Sequence, residues 1–191
     1  MYKIIYLKEK TKNLLLLGIS EEGESARYTV SAALYASLGS PSRGSEIPDS
    51  LMEKIRKYDL EYRARKKALD LLSIADNNKK SLKMKLLRAG FDKELAEKVT
   101  EEMSARGYIN EDRQLKRLIL SEAGKKRGPK RILSFLSSKG YSIDAIKKSI
   151  ASLTDSGELD FAEIKEELIS LAKEKGQSYD DIKKLLYKQG F

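Results

Sequence analysis

Leu86-Leu87-Arg88-Ala89-Gly90-Phe91 recurs as Leu136-Ser137-Ser138-Lys139-Gly140-Tyr141 and again as Leu186-Tyr187-Lys188-Gln189-Gly190-Phe191, at a spacing of 50 residues each time. Self-similarity at a fixed period is the mark of an architecture built by stacking one supersecondary unit on the next. The register extends beyond the hexapeptide. Leu82, Ile132 and Ile182 match, as do Gly107 with Gly157, Ile109 with Leu159, and Asn110 with Asp160. Asn78, Gly128 and Ser178 also align, and all three are residue types that suit a helix N-cap.

Each unit reads as three short helices. In the second, Asn110 caps a helix that runs to about Ala123 and stops at Gly124. Gly128-Pro129 opens the next, since proline is tolerated at the first helical position. Ile132, Leu133 and Leu136 share one face, and Gly140 ends the helix as a left-handed C-terminal residue. Ser142 caps the third helix, with Ile146, Ile150 and Leu153 inward and Gly157 at its end. The first unit repeats this over Asp59–Ala75, Lys79–Ala89 and Asp92–Arg106. The third opens with Asp160 and Glu163, a capping-box pair, and carries two helices. Three helices this short bury little alone, so the units are expected to stack. Leu82, Leu86, Ile132, Leu136, Ile182 and Leu186 are then equivalent buried positions.

The residues ahead of the repeats differ. Tyr2–Lys8 alternates and Asn13–Ile19 is a short apolar run, with Glu9–Lys12 between them, which reads as a β-hairpin. Ala26–Val30 is a candidate third strand, and Ser31–Leu38 reads as a helix stopped by Gly39. Ser40–Ser45 is a linker or turn, after which a helix starts near Asp49. The expected fold is mainly α, with tandem three-helix repeats behind a small β-containing module. Its boundaries are 1–47 for the module, 48–58 for a linking helix, and 59–109, 110–159 and 160–191 for the repeats.

The 191 residues include no Cys, His or Trp. That removes disulfides, Cys or His zinc sites, Cys nucleophiles and every His acid–base scheme. The glycine spacing over Gly18–Ser25 is that of a phosphate-binding loop, but Glu24 stands where the lysine is required. Glu163, Glu166, Glu167, Asp180 and Asp181 are the carboxylates available for Mg²⁺, and interleaved lysines at helical spacing make them a solvated face. No enzyme activity and no cofactor are expected. The apolar run Leu14–Leu17 falls far short of a membrane span, and no signal peptide is read. The expectation is a soluble cytoplasmic chain without membrane association.

The formal net charge of +9 is unevenly spread: residues 54–90 hold 12 basic and 4 acidic side chains, and residues 110–141 hold 9 and 3. A basic surface attracts polyanions, and charge alone leaves nucleic-acid contact and a solvated mixed-charge surface both open. The densest cluster is Gly124-Lys125-Lys126-Arg127-Gly128-Pro129-Lys130-Arg131-Ile132. Five cations flank a turn into a helix, whose N-terminal N–H groups also favour anions. Lys125, Lys126, Arg127, Lys130 and Arg131 are therefore candidate contacts, with Lys79, Lys80, Lys83 and Arg88 in the other block. A helix-turn-helix reading sets Asp92–Arg106 before Asn110–Ala123, with Arg113, Gln114 and Arg117 facing bases, as in a DNA-binding transcription regulator. Against it, the same turn recurs at Gly157 and is followed by an acidic helix. Tyr108 reads as a core or staple residue.

Gly107-Tyr108-Ile109-Asn110-Glu111, a helix, and then Lys126-Arg127-Gly128-Pro129-Lys130-Arg131-Ile132 resembles the signature of the RecX regulatory proteins, which are built of tandem three-helix repeats. Ala68–Ser73 followed by Leu82–Phe91 is similar to the first repeat of that family. The leading strand pair with Gly44-Ser45-Glu46-Ile47 looks like the β-containing leader of some members. The chain departs from the family pattern at Asn110-Glu111, at Leu115 and at Ala75-Asp76-Asn77. The resemblance implies a monomeric, non-catalytic regulator that binds the RecA recombinase and its filament on single-stranded DNA. It implies inhibition of strand exchange and ATP hydrolysis by differential binding to one filament state, and so modulation of DNA repair and homologous recombination. The candidate cations, with Arg113 and Arg117, would then face RecA or DNA directly.

Overall fold

The computed structural model describes all 191 residues. They form two compact units, Met1–Asp70 with Gly90–Val99 and Leu71–Ala89 with Thr100–Phe191. No helix is long and apolar enough to cross a membrane.

The first unit is built on β1 (Tyr2–Thr11), β2 (Leu14–Glu21), β3 (Glu24–Ser31), the short helix α1 (Ala32–Ser37) and β4 (Glu46–Ile47). The sheet is antiparallel in the order β3-β2-β1-β4. The glycines of the would-be phosphate loop serve the sheet instead. Glu22 and Gly23, at φ of +50° and +91°, form the two-residue turn between β2 and β3, where such a turn matches the strand twist. Gly18 lies under the Tyr6 ring, with no room for a side chain. Ile4, Leu17, Ile19, Val30 and Ile47 pack with Met52 and Ile55 from helix α2 (Asp49–Ile74).

That helix corrects one expectation. A linking helix ending before Asp59 and a new helix starting there are replaced by a single 26-residue element. Pro48 opens it, and no Gly or Pro lies within it to stop it. Asp59 is no cap. Its buried carboxylate accepts the Thr29 N–H of edge strand β3 at 2.8 Å. A further departure is β4, a strand where only a turn was read.

The second unit carries α3 (Lys79–Arg88), the end of α4 (Lys93–Ala105), α5 (Glu111–Ala123), α6 (Pro129–Ser138), α7 (Ile143–Asp155), α8 (Phe161–Glu174) and α9 (Tyr179–Gln189). The 50-residue register is visible in the backbone itself. N-caps Asn78, Gly128 and Ser178 have φ/ψ of −78°/169°, −79°/171° and −71°/164°. Gly90, Gly140 and Gly190 follow the corresponding helices at φ of +89°, +98° and +90°, a left-handed conformation costly for any residue with a Cβ. Asn110 and Asp160 cap α5 and α8, and Ser142 caps α7. The protein is mainly α, of tandem three-helix repeats with a small N-terminal strand module.

Leu82, Leu86, Ile132 and Leu136 are fully buried and Ile182 nearly so, whereas Leu186 is only half-buried. Ile146 and Leu153 join Leu115, Ile119 and Tyr141 in the core of the second repeat, with Ile150 at its margin. Gly124 caps the end of α5 after Ala123, as its sequence suggests. It stays right-handed at φ −59°, and Lys126 turns left at φ +58°. Fifty residues later the left-handed position is Gly176, at φ +71°. The second and third repeats thus share the turning point, a lysine occupying it in the second, whereas Asp76 at the same register in the first repeat is not left-handed.

The repeats join through helix ends. The side-chain amide of Asn78, at the start of α3, donates to the Lys139 carbonyl at the end of α6 (3.0 Å). At the start of α6, the Gly128 and Lys130 N–H groups donate to the Gln189 and Gly190 carbonyls at the end of α9 (2.7 and 3.2 Å). A methyl group on Gly128 would lie 2.7 Å from the Gly190 carbonyl carbon, so this approach requires glycine.

Candidate functional site

The turn between α5 and α6 is organised around one carboxylate. Glu122, in the last turn of α5, is only 3% exposed. Its oxygens accept from Lys125 Nζ at 2.6 Å and from the Arg127 guanidinium. Burial works to raise the Glu122 pKa, but Lys125 and Arg127 outweigh it and hold the carboxyl below its ordinary value. Arg127 also stacks 5.6 Å above the Phe135 ring, with Lys139 Nζ 4.9 Å from the same ring. Such contacts are attractive because the ring face is electron-rich. Lys126 pairs with Glu167 of α8. Arg131 donates to the Lys188 carbonyl (2.8 Å) and to Gln189 Oε1 (3.2 Å).

Four of the five cations are thus positioned by the protein's own acceptors. Lys130 is exposed and makes no side-chain ion pair or hydrogen bond. The expectation that the N-terminus of α6 offers free N–H groups to a phosphate is corrected. The carbonyls of Gln189 and Gly190 already take the Gly128 and Lys130 N–H groups, because the next helix end stacks there. What remains for an anion is the outer side of the cations, chiefly Lys125, whose side chain is 55% exposed, and Lys130.

The other block lies along α3. Lys79 spans to Glu101 at 2.9 Å, and its N–H donates to Glu111 (2.8 Å). Lys80 is exposed but lays its methylenes where a side chain on Gly140 would go. Lys83 is half-buried and Arg88 exposed at the helix end. Arg113 and Arg117 project from α5 beside an open cleft of about 350 Å³ shared with Asp76, Gly107, Tyr108 and Asn110, and Arg117 pairs with Asp76.

The helix-turn-helix reading fails at its central residue. Gln114 does not face outward; it is 6% exposed. It donates to the Asn77 carbonyl (3.3 Å) and accepts from the Tyr141 hydroxyl (2.9 Å). Tyr108, read as a core or staple residue, is 53% exposed at that cleft and so is not part of the core. Sequence reasoning passed over Glu122, although its i,i+3 spacing to Lys125 and its place as the last carboxylate before five cations were signals.

No family model matches the chain. A curated relative, "Regulatory protein RecX" of Clostridioides difficile (strain 630), is 27% identical over 121 residues, which is 63% of this chain. The match spans 57% of that relative's length. Among solved structures, a crystal structure of regulatory protein RecX aligns over 100% of this chain and 95% of its own, with TM-score 0.73 and 18% identity. RecX from Lactobacillus salivarius aligns over 70% of this chain and 89% of its own, with TM-score 0.59 and 21% identity. These two likenesses establish the fold, and the sequence match adds a similarity to a protein named RecX.

Proposed function

We propose that this chain regulates the RecA recombinase without chemistry of its own. It binds RecA and the RecA filament on single-stranded DNA in the cytoplasm, lowers strand exchange and ATP hydrolysis, and so modulates repair and recombination. The observation that carries the reading is the agreement of sequence and fold with proteins named RecX. Two basic clusters, one on α3 and one on the α5–α6 turn, supply surfaces suited to a filament where phosphate and protein lie side by side. Pre-positioned cations favour such a role, since less side-chain entropy is lost when they meet a ligand.

The mechanism is a shift of population. A protein that binds one filament state more tightly than another moves the filament toward that state by no more than its differential affinity. The test is RecA ATP hydrolysis on single-stranded DNA with increasing amounts of this protein, alongside filament length by electron microscopy. Both are expected to fall. Unchanged rate and length at saturating protein would reject the reading.

A further inference from the structure

Between α6 and α7 runs an open apolar groove of about 370 Å³, lined by Pro129, Lys130, Leu133, Lys147, Ile150 and Ala151. Its floor is Pro129, Leu133, Ile150 and Ala151. Its only charged lining residues are Lys130 and Lys147, both exposed and neither paired with an acid. The fold does not require this composition. Fifty residues earlier the same floor positions are Lys79, Lys83, Thr100 and Glu101, and there Lys79 and Glu101 close on each other as an ion pair at 2.9 Å. One backbone thus carries a self-satisfied polar surface in the first repeat and an apolar trough edged by two unanswered cations in the second. Exposed apolar surface rimmed by polar groups marks an interaction site.

We infer that this groove docks an acidic segment of a partner protein, seating an apolar side chain between Lys130 and Lys147, which pair with flanking carboxylates. The charge of the rim selects an acidic partner. The floor selects protein over nucleic acid, because it offers no aromatic ring on which a base could stack. The inference builds on the RecA reading in assigning this surface to protein contact, while the groove itself can be tested without RecA.

The experiment uses the full chain with methyl-labelled Leu and Ile. A synthetic peptide of Asp and Glu around a central Leu-Phe pair is titrated in, with oligothymidylate as the nucleic-acid probe. The Leu133 and Ile150 methyl resonances are expected to shift with the peptide and to stay in place with oligothymidylate. The double variant Lys130→Glu/Lys147→Glu should weaken the peptide by about tenfold or more, as reversed charge at a docking rim does. Ala151→Arg, which keeps the positive charge but fills the trough, should weaken it as well. Methyl resonances remote from the groove report that both variants remain folded. The inference is overturned if the peptide leaves Leu133 and Ile150 unshifted, if oligothymidylate shifts them instead, or if the double variant binds like the parent. RecA is then added to the peptide complex. Displacement supports both readings, whereas a bound peptide that RecA fails to displace upholds the groove and counts against RecA as its partner.

Discussion

The junction of α6 on α3 and the junction of α9 on α6 occupy the same register and are made of different chemistry. In the first, the cap is Asn78, and its side chain reaches across to the Lys139 carbonyl. In the second, the cap is Gly128, and with no side chain in the way the backbone itself closes on Gln189 and Gly190. The surroundings diverge as well. The second repeat holds a buried carboxylate at Glu122 that clasps two cations, while the equivalent positions in the first and third repeats are Leu72 and Ala172. Repetition therefore preserves where helices start, stop and meet, and leaves the means of joining free to vary.

The comparison breaks most strongly in the core. Leu136→Ala is expected to cost about 2–5 kcal/mol, as is usual for a fully buried leucine, and the half-buried Leu186→Ala clearly less. Chemical denaturation of the two variants side by side measures this, and equal losses would mean that the two junctions are equally packed. Glu122→Gln comes next, at about 1–3 kcal/mol for hydrogen bonds to charged groups in a buried setting. The folded-state pKa of Glu122 lies below its ordinary value of 4.5, so the clasp is fully present above that value and is lost as pH falls through the depressed one. The glutamine variant should therefore show a smaller loss of stability on acidification than the parent.

The caps give the sharpest contrast. Gly128→Ala should cost about 1–3 kcal/mol, as overpacking does, because its methyl group meets the backbone of Gly190. Asn78→Gly should cost only a few tenths as a cap, with a further fraction for the lost Lys139 contact. If both substitutions cost the same, the two junctions are not built differently. The smallest effect on stability belongs to Arg88→Ala with Arg113→Ala, within about 0.5 kcal/mol each. Yet if each side chain meets a phosphate, the salt dependence of single-stranded DNA binding should flatten by about 1.4 in log–log slope. Titrations over a range of salt concentrations measure it.

The repeat, its caps and its helix ends were legible in the sequence, because each rests on local rules: Asn78, Asn110, Ser142 and Gly140 do what their neighbours in sequence dictate. The occupation of the α6 N-terminus was not, since Gln189 and Gly190 arrive from about sixty residues away and only the stacked fold delivers them. The same holds for Gln114, whose partners Asn77 and Tyr141 come from two other segments. Asp59 misled because a local rule for helix starts was applied to a residue whose partner, Thr29, lies in another element. The basic turn could be read as charge, but not as charge already engaged by Glu122 and Glu167.

The end-to-start stacking of α9 on α6 and of α6 on α3 has an electrical meaning. Each helix behaves roughly as half a positive charge at its start and half a negative charge at its finish, so helices joined in this order act like cells in series, cancelling at each inner contact. Only the two outer terminals remain to be balanced. The side chains follow that circuit. α6 has no acid in its first turn and no base in its last, and α3 has no acid in its first turn. Asp180 and Asp181 sit at the open start of α9, and Lys85 and Arg88 at the finish of α3. The charges that guard a lone helix at both ends are thus absent from three of the four inner ends, Lys188 in the last turn of α9 being the exception.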